Sequence, residues 1–247
     1  MPTTASQTAA YVYGVTWADA TVDRRGAGVV GADVETVGQG ELAAIVSPVD
    51  LGLVRARRRD LMSHMDVLAD AFASRTVLPL RFGSVFPSKE AVADELLAAR
   101  YEELVELLHH FDGLAELRVR GAYREEAVLA EVVADDPRIA ELREQTRRGD
   151  DRLRLPLGEA VAQGVALRRE RDVSALAEKL GPLAKQTAFE DIRTEFEVLR
   201  ASYLVEERNI SAFDKRMDEL AEDNRDRITF AYTGPLPPHS FVTLAGG

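Results

Sequence analysis

Hydrophobic positions alternate along some stretches of this chain and return every third or fourth residue along others, so strands and helices can be marked off by period. Residues 11–17 (YVYGVTW) alternate as a strand. Residues 34–37 and 42–47 flank Gly38-Gln39-Gly40 and read as a hairpin. Over 55–74, Leu61, Met62, Met65, Leu68, Ala69, Phe72 and Ala73 repeat at helical spacing, which predicts a helix burying that face. Residues 76–86 (TVLPLRFGSVF) form an apolar run of strand length, and the rest of the chain is organised around it. Pro79 donates no ladder hydrogen bond, so that end is expected at a sheet edge, a strand start or a bulge. Gly83 suggests a bulge or a close backbone approach, and Arg81 is expected to be ringed by a carboxylate or carbonyls. Ser88 is placed to cap a second helix, with Val92, Leu96, Leu97, Leu104, Leu107, Leu108 and Phe111 inward and Gly113 at its end. The first half therefore predicts β–ββ–α–β–α.

The second half opens with a strand at 114–123 and continues in helical pieces to about 183. Asp136-Pro137 restarts a helix, Gly149 and Pro156 mark a joint, and Gly181-Pro182 a stop. Strands are expected at 187–193 and 195–207, a helix from Asn209 or Ser211 to Asn224, and a last strand through Ile228, Phe230 and Tyr232. That succession, β–α–β–β–α–β, is the order of a ferredoxin-like split βαβ. The fold class expected is α+β in two domains. A disordered 1–10 precedes an N-terminal mixed domain at 11–113, a modified ferredoxin-like domain at 114–233 and an extended proline-rich tail at 234–247. The tail reads first as an intramolecular cover for a groove or sheet edge, and second as a partner-docking segment.

Composition narrows the function classes. The chain has 247 residues and is 46% hydrophobic, enough for a real core. Its 42 acidic and 31 basic residues leave a net charge of −11, which disfavours nucleic acid or an anionic membrane as principal partner. With no cysteine, disulfides, thiolate metal sites and cysteine nucleophiles are excluded. The N-terminus lacks the basic and apolar regions of a signal peptide, and no apolar run approaches the ~18–20 residues of a membrane span. The expected location is the cytoplasm.

Candidate chemistry is sparse. Gly26, Gly28 and Gly31 match G-x-G-x-x-G, but polar sequence precedes them and a strand follows, so a turned or flexible loop is expected. His64 lacks partners at metal-binding helical spacing and reads as a core or cap histidine, with Asp60 one turn earlier as a possible partner. His109 and His110 suit a helix C-terminus. Glu102, Glu103, Glu106, Glu206 and Glu207 read as solvated acids, and Arg55, Arg57, Arg58 and Arg59 as a solvated helix entry. Ferredoxin-like domains also serve as small-ligand sensors or enzymes, which is the alternative reading. It requires a pocket with converging polar groups. No residue is assigned as catalytic, cofactor-binding or metal-ligating, and no cofactor is expected.

Five stretches, in order, carry a resemblance. They are YVYGV at 11–15, GELAAIVSPV at 40–49, LPLRFGSVF at 78–86, FEVLRASYLVE at 196–206 and GPLPPHSFV at 234–242. Together they resemble the gas vesicle accessory proteins GvpL/GvpF over nearly the whole chain. The family's usual ending is similar to GPWPPYSFV, so Leu236 and His239 stand where tryptophan and tyrosine are common. The resemblance implies a non-enzymatic accessory or minor structural protein for building gas vesicles, the gas-filled, protein-walled compartments that confer buoyancy. It implies as partners the small hydrophobic shell protein GvpA and other accessory gas vesicle proteins. It also implies a two-domain fold, the second domain modified ferredoxin-like with an extended tail.

Overall fold

The first sheet is assembled on one strand, β1 (Ala9–Trp17), which is buried along nearly its whole length. The structure, a computed structural model, describes residues 9–22, 25–50 and 57–242. A hairpin of β2 (Glu35–Gln39) and β3 (Leu42–Val49) lies on one side of β1. Gln39 pairs with Leu42, so the turn is Gly40-Glu41 and the expected turn residues Gly38 and Gln39 belong to the strand. Gly40, at φ +59°, supplies the left-handed conformation that a two-residue hairpin turn needs. Ala9 and Ala10, expected in a disordered leader, are instead buried strand residues paired with Val49 and Pro48. Residues 1–8 of that leader lie outside the described residues.

The helix α1 (Arg58–Phe72) packs on β1, but not with the face the apolar spacing favours. Its buried stripe is Asp60, His64, Val67, Leu68 and Ala71, while Leu61 and Met62 are about half exposed. The reason is polar: tyrosines on β1 offer His64 a partner, and that register turns Leu61 and Met62 outward. Arg57, Arg58 and Arg59 are exposed at the helix entry, and Arg55 falls outside the described residues.

The central run then forms two short strands, β4 (Val77–Pro79) and β5 (Val85–Phe86), both antiparallel to the free side of β1. Pro79 sits on the sheet's edge strand, where its missing donor costs no ladder bond. Between the strands the chain leaves the sheet. Leu80 donates to Tyr13 O at 2.8 Å, Val12 donates to Ser84 O at 2.9 Å, and residues 81–83 form a loop that exposes Arg81 while Phe82 packs back on the core. Arg81 is therefore exposed, contrary to the expectation of a ringed, buried cation.

Ser88 caps the next helical run, its Oγ accepting from Ala91 N at 3.2 Å. That run is α2 (Lys89–Ala91), a π-helical stretch Val92–Ala98, and α3 (Tyr101–His110). It buries Val92, Leu96, Leu97, Leu104 and Leu108, the expected stripe, against the sheet.

The second sheet has the order β7-β8-β6-β9, from β6 (Leu114–Tyr123), β7 (Gln186–Phe189), β8 (Glu197–Glu206) and β9 (Ile228–Leu236). Three helices connect β6 to β7, namely α4 (Glu125–Asp135), α5 (Pro137–Arg147) and α6 (Arg154–Leu180). A fourth, α7 (Ile210–Asp223), connects β8 to β9. Asp136 caps α5 by accepting from Arg138 N at 2.8 Å. Pro156 makes no joint. It falls in the first turn of α6, where its missing N–H breaks no intrahelical bond. The core here joins Leu117, Val119, Leu199, Tyr203, Val205 and Phe213 with residues of α4–α6. By contact the chain divides into two compact units. One runs to Glu116 and takes up the chain again from Pro235, and the other is Leu117–Gly234. The fold is mixed α+β.

Candidate interaction surfaces

The most elaborate polar arrangement in the first unit is buried and ties loops to the sheet. Tyr11 and Tyr13 project from β1 toward α1, and both are fully buried. Between Val12 and Gly14 the register with β3 shifts, which makes Tyr13 the extra residue of a bulge. Gly14 beside it allows close approach, since a Cβ there would stand 2.8 Å from Leu78 O. The Tyr11 hydroxyl accepts from Gly83 N at 3.1 Å and lies 2.9 Å from His64 Nδ1. The Tyr13 hydroxyl accepts from Val29 N at 2.8 Å and lies 2.9 Å from Ser47 Oγ. His64 stacks on Tyr13 with centroids 5.5 Å apart, and Phe82 meets the imidazole edge-on at 5.7 Å.

The electrostatics follow from this burial. Desolvation, with His239 nearby as a second cause, pulls the His64 imidazole down to about 4, while a hydrogen bond to the Leu80 backbone pulls the other way. His64 is thus neutral near pH 7. The Gly83 N–H occupies one lone pair of Tyr11, and the tyrosine proton is free to point at Nδ1. Burial also raises both tyrosine hydroxyls. The arrangement braces the 81–83 loop and the 28–31 turn against α1.

The other singled-out residues fall where solvent or packing takes them. At Gly28 a Cβ would stand 2.6 Å from the Tyr13 hydroxyl and 2.8 Å from Ala32 O, so the glycine serves a tight turn. His109 packs on Trp17 at 4.9 Å and His110 on Phe111 at 4.8 Å. Glu102 and Glu106 are exposed, and Glu103 is held low by its hydrogen bond to Arg100. Glu206 is held low by Lys185 and then Arg208, and Glu207 is exposed. Of the singled-out residues, His64 is set close to His239. The latter belongs to the tail, whose Pro237 and Pro238 are buried. Ser240 anchors the tail to Glu116, its N at 2.7 Å from Oε2 and its Oγ at 2.9 Å from Oε1. Glu116 escaped the sequence reading, although an acid flanked by Ala115 and Leu117 inside the LAELRVRGAY strand was the available signal, and the structure buries it fully. Among the described residues no group of three or more His, Asp or Glu could hold a metal ion, and no helix is long and apolar enough to cross a membrane.

Two surfaces in the second unit are open and apolar. The first is the edge strand β7, which pairs with β8 from Gln186↔Leu204 to Phe189↔Ala201 and leaves its other side free. It contains no charge and no proline, and it ends at Phe189, 56% exposed, with Ile192 just beyond at 36%. The second is a groove of about 510 Å3 among α4, α5 and α6, walled by Leu129, Val133, Leu157 and Val161. Gly158, itself exposed, lines it, and an added Cβ there would meet nothing within 4 Å. Neither surface was named from the sequence, since exposure of Phe189 and Leu155 depends on how three connecting helices pack.

Known proteins resemble this chain over most of its length. Residues 9–243 match the family model described as "Gas vesicle synthesis protein GvpL/GvpF". The chain is 39% identical over 213 residues to gas vesicle protein F of a Streptomyces species, covering 83% of this chain and 85% of that one. The crystal structure of GvpF from Anabaena sp. PCC7120 superposes with a TM-score of 0.82 at 24% identity, over 97% of this chain and 100% of that one. That of GvpF from Microcystis aeruginosa gives 0.78 at 20% identity, over 96% and 100%. These two likenesses speak to the fold.

Proposed function

The chain belongs to the GvpL/GvpF family of gas vesicle synthesis proteins, and from that premise we propose that it is a non-enzymatic accessory or minor structural protein that binds GvpA and other gas vesicle proteins during assembly. Its role lies in gas vesicle formation. The carrying observation is β7: a short, uncharged edge strand with Phe189 and Ile192 projecting beside unpaired backbone. Sheet edges are normally blunted by charge or proline because they template pairing with other chains. An edge kept free of both suits strand addition, in which main-chain bonds supply affinity and flanking apolar side chains supply selectivity. Hydrophobic subunits with long exposed strands aggregate unless held, and a net charge of −11 keeps such a complex dispersed in the cytoplasm until delivery.

The second unit is read here as a modified ferredoxin-like domain. Numbered within that unit, its strands lie in the order 2-3-1-4, with α4–α6 in place of one crossover helix and α7 as the other. In that reading β7 is the outer strand, and the tail beyond β9 covers the first unit instead of extending the sheet.

The test is a pull-down with purified GvpA. Wild-type protein, alone or with its accessory partners, is expected to retain GvpA, and Phe189→Lys to lose most of that retention while keeping its circular dichroism spectrum. Equal retention by the variant would remove β7 as the contact, and no retention by wild type under either condition would remove the binding role.

A further inference from the structure

The groove on α4–α6 has properties that single out one occupant. It is strongly apolar, yet its rim carries one acid, Glu126 on α4, and one base, Arg143 on α5. Both are exposed, and among the described residues neither forms an ion pair or side-chain hydrogen bond. Other charges on α5 are engaged locally. Glu144 pairs with Arg147 and Arg148, Arg138 with Asp136, and Glu141 accepts from Gln145. Next to the groove stands a projection: Leu155, 72% exposed, three residues before Gly158 on the same helix. Knob, hole, acid and base thus lie on one patch.

That combination is what a two-fold contact requires. In an isologous interface residue i meets residue j while j meets i, so a surface fits itself when it carries both halves of each pairing. We propose that two copies of this chain associate through this face. Leu155 of each enters the other's groove over Gly158, and Glu126 of each faces Arg143 of the other. Gly158 is the positional clue. A glycine inside a helix is unfavourable relative to alanine, and here no neighbour forbids a side chain. What its bareness provides is depth for the incoming leucine. The patch is small, so the dimer belongs with weak, concentration-dependent interfaces.

Sedimentation equilibrium of the full chain across the micromolar range tests this without any gas vesicle partner, so the outcome is separate from GvpA binding. The average mass is expected to rise from monomer toward dimer with concentration. Leu155→Asp and Gly158→Met should each weaken the dimer about tenfold or more, with helix content unchanged. Both sites are open to solvent, so folding is not at risk. Glu126→Arg should weaken it by setting like charges against each other twice, and Glu126→Arg with Arg143→Glu should restore it. A monomer at every concentration overturns the proposal and leaves the groove to a different protein. A dimer indifferent to Leu155→Asp, or unrescued by the charge exchange, overturns it equally.

Discussion

At the scale of single residues, the first unit depends on hydroxyls placed where backbone donors would otherwise be stranded. Tyr11 serves Gly83 N and His64, and Tyr13 serves Val29 N and Ser47, all within the α1 side of the sheet. Removing one partner of a buried hydrogen bond costs more than the bond contributes net, because the other group keeps its desolvation penalty. Tyr11→Phe is therefore expected to lower the stability of the chain by about 1–3 kcal/mol, read as a reduced urea midpoint at unchanged slope. Gly28→Ala meets a different obstacle, an added methyl 2.6 Å from the Tyr13 hydroxyl and 2.8 Å from a carbonyl. The hydroxyl would have to leave Val29 N, so a loss of roughly 1–3 kcal/mol is expected and the G-x-G-x-x-G match is explained by packing.

At the scale of elements, α6 offers a contrast within one helix. Gly158 has open space where a Cβ would go, whereas at Gly164 the Cβ would stand 2.4 Å from Val132 Cγ1 on α4. Helix propensity favours alanine at both by roughly 0.5–1 kcal/mol. Gly158→Ala is expected to gain about that much, and Gly164→Ala to lose about 1–3 kcal/mol by overpacking, since the β-branched valine has little freedom to yield. Thermal midpoints of the two variants moving in opposite directions would check this, and a gain at both would not fit. The same helices show what the sequence could and could not disclose. Strand and helix periods, the Ser88 and Asp136 caps and the Gly113 stop were legible because each depends on a few neighbouring residues. The buried face of α1 was not, because apolar spacing favoured Leu61 and Met62 while a tyrosine fifty-three residues away from His64 decided the register. Arg81 was misread for the same reason. A cation inside an apolar run looks buried until the chain is seen to leave the sheet between Leu80 and Ser84. The open surfaces at Phe189 and Gly158 were illegible because solvent exposure is settled by packing between elements, not by spacing within one.

At the scale of the whole molecule, the two units carry different responses to acid. His64 in the first unit is depressed to about 4 from an ordinary 6.5, mainly by burial. The unfolded chain therefore binds more protons there between those values, and stability falls as pH drops from about 6.5 toward 4, by up to roughly 3 kcal/mol. Protonation also reverses the Tyr11 contact, since a cationic imidazole must donate from Nδ1 to the phenol oxygen instead of accepting its proton. The second unit holds Glu131 and Glu197 low. Arg227 and Arg168 steady Glu131 against the burial that opposes them, and the Arg193 amide and Arg200 do so for Glu197. Their contribution is complete above the unfolded carboxylate value and is lost only as pH falls below about 4.5. Between pH 6.5 and 4.5 the first unit thus weakens while these supports of the second stay intact. Trp17, the chain's single tryptophan, lies in the first unit, and helices α4–α7 of the second supply much of the far-ultraviolet signal. Urea unfolding at pH 4.5 should show the Trp17 fluorescence transition at lower denaturant than the circular dichroism transition, with the gap narrowing toward pH 7. In His64→Phe the Trp17 midpoint should start lower, because Tyr11 has lost its acceptor, yet change little between pH 6.5 and 4.5. A gap that persists unchanged at pH 7, or a His64→Phe chain as acid-sensitive as the wild type, would place the weak point elsewhere than the imidazole buried beneath β1.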